Sequence, residues 1–560
     1  MRIVALTVGV LWMAAAALGQ QPSAAAPDEI FFNGKIVTVN RDFQIQQAFA
    51  VQGERFLAVG SNASVRALAA PGTRLTDLRG ATVIPGLMDN HNHQYMAAML
   101  ERGVDLTAVR SLAEMFEKLR QAAAQAKPGE VILGSANWAE DALAEKRGPT
   151  RQELDQVSAD HPIVVYRGRG AAYLNSAALK AGGVSRETKF IAGSPVPMDA
   201  SGEPTGRFTN PPSLVRNIAG RFVPPPSLEE AETRLLEIMR QQHAVGLTSI
   251  RDLDLRPEPM RAYFSLWRKK KLTMRVSMGL DIVSSDWDKL EEILKPWGVG
   301  AGFGDDWLRL DSVSEFALDD GLMREAYLNP PGQFGRMRIT ADQIRQSMIL
   351  LNRFGWRPAP HISGDRTVDH VLDAYAAADA ESSIRDKRWV MEHVPIVHAD
   401  QMKRMAELGV AVSAQIHPYG GNEAAVRNLG EARAERQVPM REFLDHGVIV
   451  STGSDWSGGD SNNMFVNIGF YVTRKTRTGK IAGAAQKITR QEALRVATVN
   501  NAYLTFQEDV KGSIEPGKLA DFLILSKDIM TVPEDEIQTI LPLSTFVGGR
   551  KVFSGKDGGF

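Results

Sequence analysis

The middle of the chain alternates helical and strand patterns. Ser227-Leu228-Glu229-Glu230 has the spacing of a capping box and predicts the start of a helix that continues to about His243. Gly246 is expected to end this helix, and residues 247–251 follow as a strand. A similar order begins at Thr340 and recurs further along the chain. This repetition predicts βα units and a parallel sheet, so the fold class is α/β.

The two ends of the chain have a different, β-rich pattern. Short apolar runs separated by Asn and Gly turn residues occupy 30–78 and again 520–553. We therefore expect the ends to form one discontinuous β domain beside a central α/β domain. The α/β pattern covers roughly 400 residues, a length that favours a (β/α)8 TIM barrel over an open sheet. Residues from about 100 to 226 look irregular, end in three prolines and predict an insertion in the barrel.

The N-terminus has the pattern of a secretory signal peptide at residues 1–19. Arg2 is followed by an uncharged run from residue 3 to residue 18, and then by small or polar residues. The run is shorter than the roughly 20 residues that a membrane-spanning helix needs. We expect the mature protein to be exported to the periplasm or the extracellular space, without a membrane anchor.

The composition excludes several classes of partner and of catalytic site. Lys and Arg total 65 against 66 Asp and Glu, a net charge of -1, so we expect neither nucleic acid nor an anionic membrane as a partner. The sequence has no cysteine, which excludes disulfides, thiolate zinc sites and a cysteine nucleophile. Metal chemistry would have to use histidine, carboxylates or a modified lysine, and the 10 histidines are the first candidates.

Histidines recur where predicted strands end. His91 and His93 follow an apolar run, and residues two apart in a strand point to the same face, so both imidazoles can approach one ion. His361 and His393 each end a further predicted strand, and Asp455 follows a late one. In a (β/α)8 barrel, catalytic residues lie at these carboxyl ends.

Several segments together carry a family resemblance. They are 85–93 (PGLMDNHNH), 361–366 (HISGDR), 392–393 (EH), 453–455 (GSD) and 512–521 (GSIEPGKLAD), with 175–179 (NSAAL) in the predicted insertion. The chain resembles the metal-dependent amidohydrolase superfamily, and within it amidohydrolase family 3, the branch of N-substituted formamide deformylase-like enzymes. The resemblance covers nearly the whole mature chain. It implies a barrel at 85–507 and a small β-sandwich domain built from 28–84 and 508–560.

The resemblance also implies roles for the strand-end residues. His91 and His93 would bind metal, His361 and His393 would bind metal or orient the attacked group, and Asp455 would bind metal and move protons. Zinc is the expected divalent metal, with one or two ions per chain. Such an ion activates water and polarises a carbonyl, while a carboxylate passes the proton to the leaving nitrogen. The expected activity is hydrolysis of a C-N bond, in an amide or cyclic amide, of a small-molecule substrate.

At one position the chain differs from the family pattern, so the sequence does not determine how many metal ions the site would hold. Where relatives carry a carboxylated lysine that bridges two metals, this chain has Ser314. Three arrangements are then possible. In the first, the site is mononuclear, with His91, His93, His361 and Asp455 as ligands and His393 as a substrate or water contact. In the second, Glu315 bridges two metals, and in the third the site is degraded. Strand alternation places Ser314 and Glu315 on opposite faces, so Glu315 would need a bulge to turn inward.

The substrate contacts are less constrained by the sequence. His417 follows a predicted barrel strand, and Trp138 and Trp456 lie near predicted rim loops, so all three are candidates for the lining of the substrate pocket. For the two tryptophans, packing in the core is the alternative. Relatives often have a histidine near Gly170, which is missing here. Hydrolysis of an ester, deamination, or a noncatalytic binding function with a degraded metal site are the alternatives. Whether the protein is a homo-oligomer is left open.

Overall fold

The computed structural model describes residues 26–560, apart from 169, 192–193, 210–217, 282–286, 459–461, 557–558 and 560. The predicted signal peptide, 1–19, lies outside the described residues. None of the helices in the described part of the chain is both long and apolar enough to cross a membrane.

The centre of the fold is a sheet of eight parallel strands, and their order in the sheet is their order in the chain. The predicted (β/α)8 barrel is therefore confirmed, with additional sheets at the chain ends and in the insertion. The barrel strands, from first to eighth, are Leu87–Asn92, Leu247–Leu255, Arg275–Leu280, Leu308–Ala317, Pro358–Ile362, Val390–His393, Ala411–Ala414 and Val450–Thr452.

The first and eighth strands are joined by backbone hydrogen bonds beyond their regular ends. The amide of Asp455 donates to the carbonyl of His91 (2.7 Å), and the amide of His93 donates to the carbonyl of Trp456 (2.8 Å). Lower down, the side-chain amide of Asn501 donates to the carbonyls of Met88 (2.5 Å) and of the eighth strand (3.1 Å). The closure therefore fixes the segment that carries Asp455 against the segment that carries both first-strand histidines.

Helices follow the barrel strands along the chain, and their ends have the predicted caps. The Ser227 hydroxyl accepts from the amide of Glu230, Thr340 forms a capping box, and Gly409 ends its helix with φ 68°. The helices are Gln94–Leu100, Leu228–Ala244, Pro257–Arg268, Leu290–Leu294, Ala341–Arg353, Asp365–Glu381, Ala399–Leu408, His417–Leu429, Glu431–Ala434, Met440–Asp445, Met464–Thr473, Arg490–Ala497 and Val499–Leu504.

The two ends of the chain pair with each other. Phe522–Leu525 lies antiparallel to Thr82–Pro85 in a six-stranded sheet whose other strands are Lys35–Val37, Ile45–Gln46, Pro542–Val547 and Arg550–Ser554. A four-stranded sheet contains Glu29–Phe32, Ala48–Gln52, Arg55–Gly60 and Arg74–Asp77. Buried aromatic rings from both sheets form a common core, in which Phe522 stacks on Phe546 at 4.3 Å and Phe31 meets Phe522 edge-on at 5.1 Å.

The insertion is more regular than the sequence predicts. It contains a four-stranded sheet, in the order Arg207–Thr209, Ala171–Leu174, Ile163–Arg167 and Ile132–Gly134, together with the helices Leu112–Gln125, Arg151–Val157 and Ser176–Ala181. The expectation of an irregular segment was wrong, because strands of three to five residues produce almost no periodic pattern. The sheet packs its own apolar core, separate from that of the barrel.

Candidate active site

Four histidines and two carboxylates meet at the carboxyl end of the barrel. His91 and His93 come from the end of the first strand, His361 and His393 from the fifth and sixth, and Asp455 from the segment after the eighth. Glu315, from the fourth strand, lies among them. The ligand atoms fall into groups that lie within 4.8 Å of one another, and Glu315 belongs to two of these groups.

The two oxygens of Glu315 face different histidines. Its Oε2 lies 3.3 Å from Nε2 of His91 and 3.5 Å from Nε2 of His93. Its Oε1 lies 2.6 Å from Nε2 of His393 and also contacts Nδ1 of His361. Oδ1 of Asp455 lies 3.2 Å from His93 Nε2 and 3.6 Å from His91 Nε2, which places Asp455 with the first group. One carboxylate thus connects two sets of imidazoles.

The first group has the chemistry and spacing of a metal site. Nε2 of His91 and Nε2 of His93 are buried and make no hydrogen bond to any residue that the structure describes. Tetrahedral zinc holds nitrogen and oxygen ligands at about 2.0–2.1 Å, which separates the ligand atoms by roughly 3.3 Å. The observed separations of 3.2–3.6 Å fit this arrangement. The second group, around Oε1 of Glu315, is more closely packed.

A bulge in the fourth strand brings Glu315 into the site. Ser314 is paired with Ala359 of the fifth strand and Phe316 with Pro360, so Glu315 is an extra residue without a partner. Of the three alternatives that the sequence left open, the bulge is the one that would let Glu315 bridge two metals. A bulge interrupts alternation and redirects one side chain. Ser314 is buried beside Gly279 instead.

The electrostatic surroundings favour an anionic Glu315 and a neutral His393. Burial alone would raise the pKa of Glu315, but the imidazoles of His91, His361 and His393 hold that pKa well below its usual value. Burial and the neighbouring His361 lower the pKa of His393. An anionic carboxylate and a neutral imidazole are the protonation states that bind a cation. Burial alone would lower the pKa of His91, but Glu315 and Glu392 raise it well above its usual value, so a metal ion at His91 would have to replace a proton.

The loops that carry His393 and Asp455 are tightly fixed. Both residues have left-handed backbone conformations, with φ 69° and φ 55°, which non-glycine residues keep only where their surroundings hold them. Asp89, fully buried, accepts from the amide (2.8 Å) and the hydroxyl (2.5 Å) of Ser454. Gly453 is needed for the close approach, because a Cβ there would lie 2.4 Å from the His91 backbone nitrogen.

A pocket of about 600 Å³ opens beside the carboxylate of Asp455. His417 and Trp456, two of the predicted substrate contacts, line it, and the His417 ring lies 5.1 Å from the His393 ring. The insertion contributes Arg167, Gly168 and Gly170. Trp138 does not line this pocket, so its prediction as a substrate contact is corrected. Its ring packs in the core of the insertion, where Nε1 donates to the carbonyl of Tyr166 (2.7 Å).

The sequence matches a family model described as the amidohydrolase family over residues 74–553, a range that includes every barrel strand and all the site residues above. The chain belongs to the amidohydrolase family. The family resemblance inferred from the sequence is therefore confirmed.

Relatives of this amidohydrolase match over nearly its full length. It is 28% identical to the N-substituted formamide deformylase of Arthrobacter pascens, over 93% of this chain and 97% of the relative. It is 26% identical to the protein LONG AFTER FAR-RED 3 of Arabidopsis thaliana, over 95% of this chain and 92% of the relative. A crystal structure described as an uncharacterized metal-dependent hydrolase from Pyrococcus furiosus is 25% identical, with a TM-score of 0.70, covering 90% of this chain and 100% of the other.

Beneath the histidines, this amidohydrolase has a chain of buried charges that sequence reasoning missed. Nδ1 of His91 lies 2.7 Å from Oε2 of Glu392, whose Oε1 accepts from Nη1 of Arg251 (2.7 Å). Arg251 also donates to Asp311 (2.5 Å), which Arg357 contacts from the other side. All four charged side chains are almost completely buried. The available signal was a charged residue inside a predicted barrel strand or directly before one.

Glu392 fixes the orientation of His91. Burial alone would raise the pKa of Glu392, but Arg251 and His91 lower it, so the carboxylate is anionic. An anionic acceptor at Nδ1 retains the proton on that nitrogen and leaves Nε2 free for a metal. Carboxylate partners of this kind also increase the basicity of metal-binding histidines.

We predict that Glu392→Gln lowers the affinity of the site for an added divalent ion, with zinc as the probe, about 10- to 100-fold, because His91 loses its anionic acceptor. Competition with a chelator of known zinc affinity measures this change, and circular dichroism verifies that the variant is folded.

Glu508→Gln is the matched control. Glu508 accepts from both Nη atoms of Arg388 (2.5 and 2.7 Å). Arg388 lies just before the sixth strand, at the opposite end of the barrel from the histidines. This variant should bind zinc as the wild type does. An unchanged zinc affinity in folded Glu392→Gln would contradict the role given to Glu392.

Proposed function

We propose that this amidohydrolase is an exported, metal-dependent enzyme that hydrolyses a C-N bond, in an amide or cyclic amide, of a small molecule. Membership of the amidohydrolase family supports hydrolysis. The name of one relative, N-substituted formamide deformylase, supports an amide as the substrate class. The observation that carries the proposal is the carboxylate of Glu315, which faces His91 and His93 with one oxygen and His361 and His393 with the other.

This geometry favours two metal ions over the mononuclear alternative. His91, His93, Asp455 and Oε2 of Glu315 would hold one ion, and His361, His393 and Oε1 of Glu315 the other. Glu315 would supply the bridging negative charge that Ser314 lacks. A degraded, noncatalytic site is disfavoured, because all the histidines and carboxylates of both groups converge.

We propose zinc, since imidazole nitrogens and carboxylate oxygens are its usual ligands where no thiolate is present. A divalent ion of this kind supplies Lewis-acid polarisation of a carbonyl and lowers the pKa of water toward neutrality.

Two side chains are placed to act on the substrate. Asp455 is the ligand group most open to the pocket on the His91 side, with 25% of its side chain exposed, so its carboxylate can take a proton from water and deliver it to the leaving nitrogen. His417 lines the same pocket and is placed to donate a hydrogen bond to the polarised carbonyl.

We propose export on the basis of residues 1–19, whose short apolar run and small residues are typical of a signal peptide. Cell fractionation tests this: the full chain should appear processed outside the cytoplasm, and a chain that lacks residues 2–19 should stay inside. Retention of the unprocessed full chain in the cytoplasm would contradict export.

The metal proposal predicts about two zinc ions per chain after reconstitution. His361→Ala should lose one ion, because it removes a ligand from only the second group, and Glu315→Ala should lose at least one. Metal analysis of desalted protein measures the content.

His446→Ala is the control, since among the described residues the His446 ring contacts a backbone carbonyl far from the site, and this variant should retain both ions. One ion in the wild type that survives in His361→Ala would support the mononuclear arrangement. No bound metal after reconstitution would overturn the metal site altogether.

For the reaction, we predict that Asp455→Asn lowers kcat/KM about 10²- to 10⁴-fold, as expected when a group that transfers a proton is lost. A panel of N-substituted formamides, N-acyl amino acids and hydantoins, followed by amine release or ring opening, provides the assay.

Asp445→Asn is the surface control, because within the described part of the chain Asp445 pairs with Arg441 on the same helix (2.9 Å) and with no other charged residue. The activity of this variant should match the wild type. If Asp455→Asn retained full activity while zinc was bound, the proton-transfer role would be wrong. If protein with both ions cleaved esters but no amide, the choice of a C-N bond would be wrong.

A further inference from the structure

A second cavity lies between the barrel and the insertion. It is next to the pocket of about 600 Å³ beside Asp455, which we call the catalytic pocket. The volume of the second cavity is about 230 Å³. One wall is the helix Gln94–Leu100, which starts directly after His93, and the opposite wall comes from the insertion sheet and residues 219–225. Its apolar lining includes Met96, Met99, Leu100, Leu133, Val223 and Pro224.

The two cavities are separated by very little. Gly168 lines both of them. A Cβ atom on Gly168 would lie 3.6 Å from the carbonyl oxygen of Gly458, and one on Gly458 would lie 3.8 Å from the side chain of Ala97. The described part of the boundary therefore includes two glycines, which place no side chain between the two cavities.

The polar groups around the second cavity suit an uncharged ligand. The guanidinium of Arg102 is occupied: Nε donates to Glu230 (2.9 Å) and Nη1 to the carbonyl of Pro224 (3.1 Å). Burial raises the pKa of Tyr166 to about 12, so its hydroxyl is neutral. A charged group in this cavity would lose part of its hydration without a free countercharge among the described lining residues, which is unfavourable.

The volume sets the size of the ligand group. Apolar cavities of about 150 Å³ bind benzene, so a cavity of about 230 Å³ accommodates a six-membered ring with a short alkyl extension. We infer that this cavity is a specificity subsite that binds an aromatic, cyclic or branched aliphatic substituent of the substrate while the scissile C-N bond lies in the catalytic pocket. The substrate part of this inference rests on the proposed function; the apolar binding site does not.

The first test measures binding without catalysis. Toluene, titrated into metal-free protein and followed by ligand-observed NMR, should bind the wild type. Ala171→Leu, which fills the cavity from the insertion strand that lines it, should weaken binding at least 10-fold. Ala144→Leu, on an exposed part of the insertion, is the matched control and should bind toluene as the wild type does. Absence of toluene binding to the wild type, or equal binding to folded Ala171→Leu, would overturn the subsite.

The second test uses the zinc-loaded enzyme. N-cyclohexylformamide is compared with N-methylformamide, and cyclohexanecarboxamide with acetamide, so that the ring lies on either side of the scissile bond. Burial of the ring should raise kcat/KM roughly 10- to 150-fold in at least one pair. Ala171→Leu should abolish this preference and leave the small substrate unaffected. Equal rates within every cleaved pair would overturn the substrate assignment.

The two tests separate the two proposals. If toluene binds and Ala171→Leu prevents it, but no amide is cleaved, the apolar site stands and the proposed amide hydrolysis fails. If amides are cleaved without any preference for the ring and toluene does not bind, the hydrolase stands and the subsite fails.

Discussion

The arrangement of the active site depends on one carboxylate that contacts four imidazoles. Two divalent ions would bring four positive charges into a largely buried space, and neutral histidines offset none of that charge. Glu315 and Asp455 together supply two negative charges, whereas without the bulge only Asp455 would remain. Buried charge without a close opposite charge is strongly unfavourable. The bulge of the fourth strand is therefore what makes a site with two ions compatible with Ser314.

The same need for charge balance applies to the buried side chains beneath the histidines. Arg251 and Arg357 are balanced by Glu392 and Asp311, so the buried set is neutral as a whole, and the removal of any one member leaves an uncompensated charge. Breaking a buried ion pair typically costs about 3–5 kcal/mol, so these four side chains hold a single arrangement. Because Glu392 contacts both Arg251 and His91, that arrangement is transmitted to a proposed metal ligand.

The sequence predicted those features that depend on local pattern. The strand-end histidines follow from the period of two residues in strands and from the position of active sites in barrels. The position of Glu315 stayed open, because a bulge depends on pairing with a strand that lies more than 40 residues away. The contact between Glu392 and Arg251 spans 141 residues, and neither local pattern indicates the other. Trp138 was misplaced because proximity to a loop does not determine which way a side chain points.

Trp138 still affects the substrate pocket, although indirectly. Its indole donates to the carbonyl of Tyr166, at the end of the insertion strand that leads into Arg167 and Gly168. That turn forms the boundary between the catalytic pocket and the apolar cavity. The insertion has its own cores, whereas the proposed metal-binding side chains are fixed by barrel strands and buried charges. Substitutions in the insertion can therefore change the shape of the catalytic pocket without moving the proposed metal ligands. Specificity and chemistry then depend on different parts of this amidohydrolase.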